Sequence, residues 1–594
     1  MNHLSDFKPL KRITLPGMGD LECAGLTLVV GPNSSGKSQL LQDLYHRIAG
    51  EPRTLVVASE IEIDKPAEVD SFLDTLQEEG YIEMVEDENG TKQVKSLTVY
   101  PGSGPVSQIQ RSQAADWYQS FSPISGIVTK RRSEFLNHFG RLLVTGLFLA
   151  RRLDSLNQVG LIDFQTQSPQ HDLHALVVND IARKELFDEV VSSFGKGIWP
   201  DMSRGNGLCL RVADEGVLPT AEDRLSSKKM AAFRTIETEG DGLKSYVAIC
   251  ISLLLGIRPV VLLDEPEMCL HPPQAYNLGR FIGSHGTSPE TATFVSTHSS
   301  HILRGVLQTA PGVRIVRLTR KGKDFVAHQV PANTLAEAVA KPTLRAESVL
   351  DGIFSQAVVI LEADGDRLVY QTTWETLANE KRLDIHFAPV GGTGGIADTC
   401  HLYKTLNIPL AVIADLDLLS NNDRLTRVLH EMTTPDIAQG IMKDINKVMD
   451  EIRKMPPTVT SDGVRKALER LLSNPMDWDK QDDAVVCKEL RGTANTLDRM
   501  RRLKSGGVDG FPEDIASPMR LVVVRLSAIG IFVVPVGELE EWLKSASIKE
   551  SKANKWAWAS AAAQHIQRSG VQQGDVWDFM RSVGAYLIEQ AQTI

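Results

Sequence analysis

Leu26-Thr27-Leu28-Val29-Val30-Gly31-Pro32-Asn33-Ser34-Ser35-Gly36-Lys37-Ser38 is the stretch that decides the fold. Leu26 to Val30 is a short β-rich run, and a helical pattern follows from Gln39. The octet from Gly31 to Ser38 reads GxxxxGKS in a strand–loop–helix setting. Gly31, Asn33 and Gly36 belong to a loop whose backbone N–H groups can surround a β-phosphate. Lys37 can pair with β/γ oxygens, and Ser38 can reach Mg²⁺, with the helix N-terminus adding a favourable field. A nucleotide-binding α/β domain is expected, with ATP as cofactor.

Further along, Val260-Val261-Leu262-Leu263-Asp264-Glu265 is a continuous apolar run ending in two acids. Such a run suits a strand buried on both faces of a parallel sheet. Asp264 is expected in the Mg²⁺ shell, and Glu265 is expected to polarise the attacking water. The strand-like Ala292–Ser296 leads to Thr297 and His298, where a histidine can contact a γ-phosphate. Pro266 to Pro272 and Ser296 to Ser299 resemble the D-loop and switch histidine of ABC-type ATPases. In such ATPases a signature loop binds the partner subunit's ATP, and Glu239-Gly240-Asp241-Gly242-Leu243-Lys244-Ser245 lies where it belongs. Gly240 stands at the place of the usual serine, and Gly242 follows. Gln108, Gln110 and Gln113 are candidates for a Q-loop by region alone.

A second cluster lies near the middle of the chain. Ala357 to Leu361 reads as a strand ending at Glu362, and Leu410 to Ala414 as a strand ending at Asp415 and Asp417. Between them, Asp366 to Leu377 reads as a helix, and His386 to Val390 as a strand before the turn Gly391–Gly395. This alternation predicts a parallel α/β sheet with functional groups at the C-terminal strand ends. Carboxylates gathered there repel one another unless a cation lies between them, and an all-oxygen site favours Mg²⁺ or Mn²⁺. On a phosphodiester, such ions generate a hydroxide nucleophile and stabilise the leaving oxygen. Asp364 has no place in this pattern. Met519 to Leu526 and Ile529 to Val536 read as a last pair of strands, followed by Glu538, Glu540 and Glu541.

The segments between these motifs read as helical. Arg132 to Leu156 carries an apolar stripe, and residues 421–510 form an insertion whose Ile437, Ile441, Ile445, Val448 and Ile452 mark one face. Arg499, Arg501, Arg502 and Lys504 make the densest basic cluster of this half, suited to a phosphate backbone or to a solvated helix end.

A chain of 594 residues accommodates roughly two to four domains. The net charge of −11 confines any nucleic-acid surface to a local patch. Six scattered cysteines without a CxxC pair argue against structural zinc and a disulfide framework. The longest apolar stretch, Tyr246 to Ile257, is too short to span a bilayer, and Met1 to Asp6 lacks the features of a signal peptide. A cytoplasmic protein with no membrane partner is expected.

Glu362-x-x-x-Asp366 followed by Asp415-x-Asp417 resembles a Toprim domain, with Ala363 where glycine is usual. An ABC-type ATPase followed by a Toprim domain in one chain resembles the OLD family of nucleases, to which the Gabija and retron-associated antiphage nucleases are related. The resemblance implies an ATPase domain over residues 1–345, with a helical insertion at about 105–200, and a Toprim domain over 346–594, with one at about 421–510. It implies that Glu362, Asp366, Asp415 and Asp417 are metal ligands, that Glu538 or Glu540 is a further ligand, and that Lys555 is a catalytic lysine. It also implies DNA as substrate, a homodimer or larger assembly through the ATPase half, ATP-regulated two-metal cleavage and a place in phage defence with a possible partner. The alternative from these features is a RecF-like DNA clamp or sensor whose Toprim half is a binding platform.

Overall fold

The computed structural model describes the chain except residues 1–3, 5, 6, 52, 80, 97–108, 121–129, 166–168, 170, 204, 206, 215–231, 257, 342, 343, 345, 346, 378–382, 457–460, 474–500, 545, 547, 549, 553 and 594. Two compact units divide it, Met1–Val339 and Ala340–Ile594. Gln108, Arg499, the end of the apolar stretch at Ile257 and parts of both insertions lie outside the described residues.

The first unit is built on a six-stranded sheet. Its order is Asp324–Val330, Arg314–Lys321, Gly25–Val30, Ala292–Ser296, Val260–Asp264, Val144–Leu147. All pairings are parallel except the hairpin of the first two strands. The inner strands are almost entirely buried, which explains their unbroken apolar runs. Register aligns Asp264 with Ser296 and Ser296 with Val29, so the two motif-bearing strands end side by side, next to the strand that enters the Gly31–Ser38 loop.

Arg132 to Leu156 is not one helical stretch. A helix over Lys130–Phe139 ends in a short 3-10 turn, and Val144–Leu147 is a strand pairing with Val260–Leu263. The apolar stripe is shared between helix and strand: Phe135, Phe139, Leu142 and Leu143 join one buried cluster. A four-residue strand leaves too few alternations to be told from a helix by periodicity.

Two helices follow the acidic strand and its neighbour, Pro272–His285 and Ser300–Thr309. The first starts with proline and a capping box between His271 and Gln274. They meet through glycines: a Cβ on Gly279 would lie 2.4 Å from the Ile302 carbonyl oxygen, and one on Gly305 would lie 2.2 Å from that of Tyr276.

The second unit holds a four-stranded, all-parallel sheet in the order Ile385–Pro389, Ala357–Leu361, Leu410–Ala414, Ile531–Val533. Met519 to Leu526, expected as a strand, lies inside the helix Glu513–Ser527. Its Ile515, Ala516, Met519, Val522 and Leu526 are buried, a helical spacing that a run of branched residues disguised, while Leu521 and Val524 are exposed. In the insertion, the helix Pro435–Lys454 buries Ile441, Ile445, Val448 and Ile452, whereas Ile437 in its first turn is exposed.

Gly305→Ala is expected to destabilise the chain by roughly 1–3 kcal/mol, because overpacking outweighs the helix-propensity gain. Gly312→Ala, where an added Cβ meets nothing within 4 Å, is expected to leave the melting temperature unchanged. Thermal melting of the two variants checks this.

Candidate functional sites at the C-terminal strand ends

In the first unit the Gly31–Ser38 loop wraps back on itself. Gly36, at φ +96°, caps the helix Lys37–Ile48, and a Cβ there would lie 2.7 Å from the Phe325 ring. Only glycine fits both the backbone and the space. The Lys37 ammonium donates to the Gly31 and Pro32 carbonyl oxygens at 2.8 and 2.9 Å, and burial lowers its pKa. Asn33, Ser34, Gly36, Lys37 and Ser38 line an open cleft of about 460 Å³ together with Glu265, Arg320 and Phe325. Phe325 and Arg320 come from the terminal hairpin and carry no motif, so nothing in the sequence marks them.

Asp264 accepts a 2.5 Å hydrogen bond from the Ser296 hydroxyl. Glu265 has a left-handed backbone, φ +46°. Its carbonyl accepts from both terminal nitrogens of the fully buried Arg152 at 3.3 and 3.2 Å. His298 Nδ1 lies 3.4 Å from Glu265 and 3.2 Å from Glu267. The Glu265 carboxylate raises the imidazole above its ordinary pKa, and His298 lowers that of Glu265. Glu267 is the buried anchor of this loop, accepting from Thr297 Oγ1 and the His298 amide, both at 2.8 Å. Lys37, Asp264, Glu265 and His298 therefore form one neighbourhood.

Gly240 and Gly242 do not line the cleft. Gly240 caps the helix Asp241–Leu255, and a Cβ on Gly242 would lie 2.4 Å from the Cys269 carbonyl oxygen. This turn thus packs against the loop after the acidic pair. Gln110 ends the strand Ile109–Gln110 of a separate three-stranded antiparallel sheet, Gln113 lies in the first turn of the helix Arg111–Gln119, and neither lines the cleft. The strand next to Val260–Asp264 leads instead into Arg152.

In the second unit, strand pairing brings Glu362, Asp415 and the segment after Val533 to one edge. The Gly392 amide donates to the Glu362 carbonyl at 2.7 Å, and the Leu416 amide to the Gly537 carbonyl at 2.9 Å. These bonds tie the turn and the downstream acids to the strand ends. Asp366 accepts from the Ala363 amide at 2.9 Å. Asp364 turns outward and pairs with Arg367.

Burial pushes Glu362 up to about 7, with Asp366 and Asp417 adding repulsion. It pushes Asp366 to about 6 and Asp415 to about 8, the latter helped by Glu362 and Asp366. Glu538 is also raised by burial. Two ammonium groups stand among these acids. Lys504 Nζ lies 2.9 Å from Asp417 and 3.9 Å from Asp415. Lys555 Nζ lies 3.4 Å from Glu540 and 3.7 Å from Glu538. Burial opposes both charges, yet the carboxylates outweigh it and hold both lysines above their ordinary range. Lys504, expected only as one of a basic cluster, is a member of this site. Behind it, buried Tyr370 accepts from the Trp542 indole N–H at 3.1 Å.

The acids suit a hard divalent cation by their oxygen chemistry. Glu362 Oε1 and both carboxylate oxygens of Glu540, which is only 2 % exposed, are buried without a hydrogen-bond partner. Buried polar atoms of this kind are normally satisfied; Lys555 Nζ stands 3.4 Å from Glu540 Oε1, which leaves Glu362 Oε1 and Glu540 Oε2 open to a cation. Among the described residues no three acids, histidines or cysteines close on a single point. The ammonium groups hold the carboxylates in two corners instead.

A model of the family "Overcoming lysogenization defect protein-like, TOPRIM domain" matches residues 353–417, which include Glu362, Asp366, Asp415 and Asp417. A model described as "AAA domain, putative AbiEii toxin, Type IV TA system" matches residues 216–304, which include Asp264, Glu265 and His298. No curated protein matches the chain. Among solved structures, the SmcHead bound to the C-winged helix domain of ScpA is 11% identical, covering 55% of this chain and 99% of its own, at a TM-score of 0.33. The SMC head domain from Thermotoga maritima is 13% identical, covering 54% of this chain and 99% of its own, at 0.28. Likenesses this distant carry no argument about the chain.

Ordinary carboxyls ionise near pH 4, and these ionise higher in the folded chain, so the folded state binds protons more tightly. The stability this lends at low pH is lost as pH rises towards about 8. In chelator, the melting temperature is expected to fall between pH 5 and pH 8, and Asp415→Asn to reduce that fall by roughly 3–6 °C. Added Mn²⁺ is expected to raise the melting temperature more at pH 8 than at pH 6. Melting curves across pH check both.

The ATPase domain implies nucleotide binding, and Toprim domains generally use divalent metals. An AAA-domain match over residues 216–304 thus precedes an OLD-like TOPRIM match over residues 353–417, an order that supports an OLD-family ATPase–Toprim protein.

Proposed function

We propose that the chain is an ATP-regulated, metal-dependent DNA endonuclease. The observation that carries this reading is the convergence of Glu362 and Asp415 at neighbouring strand ends, with a buried oxygen of Glu362 and one of Glu540 left without a hydrogen bond or ion pair. Glu362, Asp366, Asp415, Asp417, Glu538 and Glu540 would hold one or two Mg²⁺ or Mn²⁺ ions. Those ions supply activation of the attacking water and stabilisation of the leaving oxygen. Lys555, drawn toward Glu540 and Glu538, would stand over the scissile phosphate as a fixed positive charge.

In the ATPase half, Gly31, Asn33, Gly36 and Lys37 would bind the nucleotide phosphates, with Ser38 and Asp264 on its Mg²⁺. Glu265 would position the attacking water, and His298 would contact the γ-phosphate. Gly240 and Gly242 would meet the nucleotide of a second copy, making the active form a homodimer or larger assembly. A role in antiphage defence, with a partner of that system, follows from the OLD-like family alone.

One observation favours a second reading, a DNA-binding ATPase clamp or sensor: Lys504 and Lys555 already neutralise part of the acidic edge. Plasmid cleavage across Mg²⁺, Mn²⁺ and nucleotides separates the two. Glu362→Ala or Asp415→Ala is expected to abolish cleavage, by about 100-fold or more, while ATP hydrolysis persists. Cleavage by clean mutant protein, or none by wild type under any condition, sinks the nuclease reading.

A further inference from the structure

We propose that Lys504 is a built-in counter-ion of Asp415 and Asp417, one that a divalent cation must displace to load, so that this lysine sets the metal affinity of the carboxylate edge. The inference rests on the reading of these acids as a metal site.

The position of Lys504 is built. Its helix, Arg501–Gly506, is followed by Gly507, and the Val508 amide donates to the Pro535 carbonyl at 2.8 Å. A Cβ on Gly537, whose φ is +113°, would lie 2.0 Å from the Lys504 carbonyl oxygen. The backbone at Lys504 is therefore wedged against the turn that delivers Glu538 and Glu540. That turn is itself bonded to Leu416, between the two aspartates. The backbone that carries Lys504 is thus fixed, and its side chain, 38% exposed, reaches Asp417 from there.

The chemistry is competitive. An ammonium at 2.9 Å from Asp417 Oδ2 takes one of the carboxylate's roughly four lone-pair sites and part of its charge, so a divalent ion at about 2.1 Å competes with it. Two cations within about 4 Å of each other repel strongly, even at the effective dielectric of a protein surface. Lys555 pairs instead with Glu538 and Glu540. Neither ammonium makes an ion pair with Glu362 or Asp366. At Asp415 and Asp417, loading exchanges one cation for another and frees the Lys504 ammonium for a substrate phosphate.

Mn²⁺ binding to the nucleotide-free full-length chain, read by electron paramagnetic resonance, tests this. Asp417→Asn identifies the signal that belongs to this site. Lys504→Met is expected to bind Mn²⁺ at that site at least about fivefold more tightly than wild type. Lys504→Arg, which keeps the charge, is expected to stay within about twofold. Lys504→Gln repeats the test should the methionine variant melt early. Unchanged or weaker Mn²⁺ affinity in folded Lys504→Met overturns the counter-ion role, including the case where only DNA binding is lost. Absence of any Asp417-dependent Mn²⁺ signal in wild type overturns the metal-site reading itself.

Discussion

Parallel strand pairing is the constraint on which both units depend. In a parallel sheet every C-terminal strand end lies on one edge, so whatever follows each strand is gathered there, however distant in the chain. In the first unit this sets the Gly31–Ser38 loop, Asp264 and the Ser296–His298 segment side by side. In the second it joins Glu362, Asp415 and the acids beyond Val533, whose separation in sequence spans well over a hundred residues. Helices and insertions can vary around such a sheet without disturbing the edge.

The two edges solve charge crowding differently. In the first, one buried lysine bonds to carbonyl oxygens of its own loop, while the neighbouring acids are stabilised by Ser296, Thr297, His298 and Arg152. In the second, acids outnumber donors. Burial and mutual repulsion raise Glu362, Asp366 and Asp415, and two lysines divide the charge between them. Both edges keep buried polar atoms without a hydrogen bond, Ser35 Oγ, Arg152 Nε and Glu267 Oε2 at the first and Glu362 Oε1 and the Glu540 carboxylate at the second.

The elements legible in the sequence were those whose local pattern and tertiary role agree. The inner strands are long apolar runs buried on both faces, and each ends at a polar motif, so Val260–Asp264, Ala292–Ser296 and Leu410–Ala414 could be read almost to the residue. Met519 to Leu526 misled because Leu521 and Val524, apolar but exposed, hide the helical spacing of the buried positions. Val144–Leu147 was too short to interrupt the helical pattern around it. Phe325, Arg152 and Lys504 were illegible as site residues for another reason. Each reaches its site from a remote element by a contact that only the fold creates, and their sequence neighbours follow no motif.

The glycine seam between Pro272–His285 and Ser300–Thr309 has a mechanical consequence. With Gly279 and Gly305 each pressed on the other helix's backbone, the two helices touch main chain to main chain at the crossing, where little can give. One helix begins a few residues after Glu265 and the other directly after His298. A displacement of either loop is therefore passed on to the other as a rigid lever would pass it. The Glu265 and His298 loops are geared together, and a change at one cannot remain local.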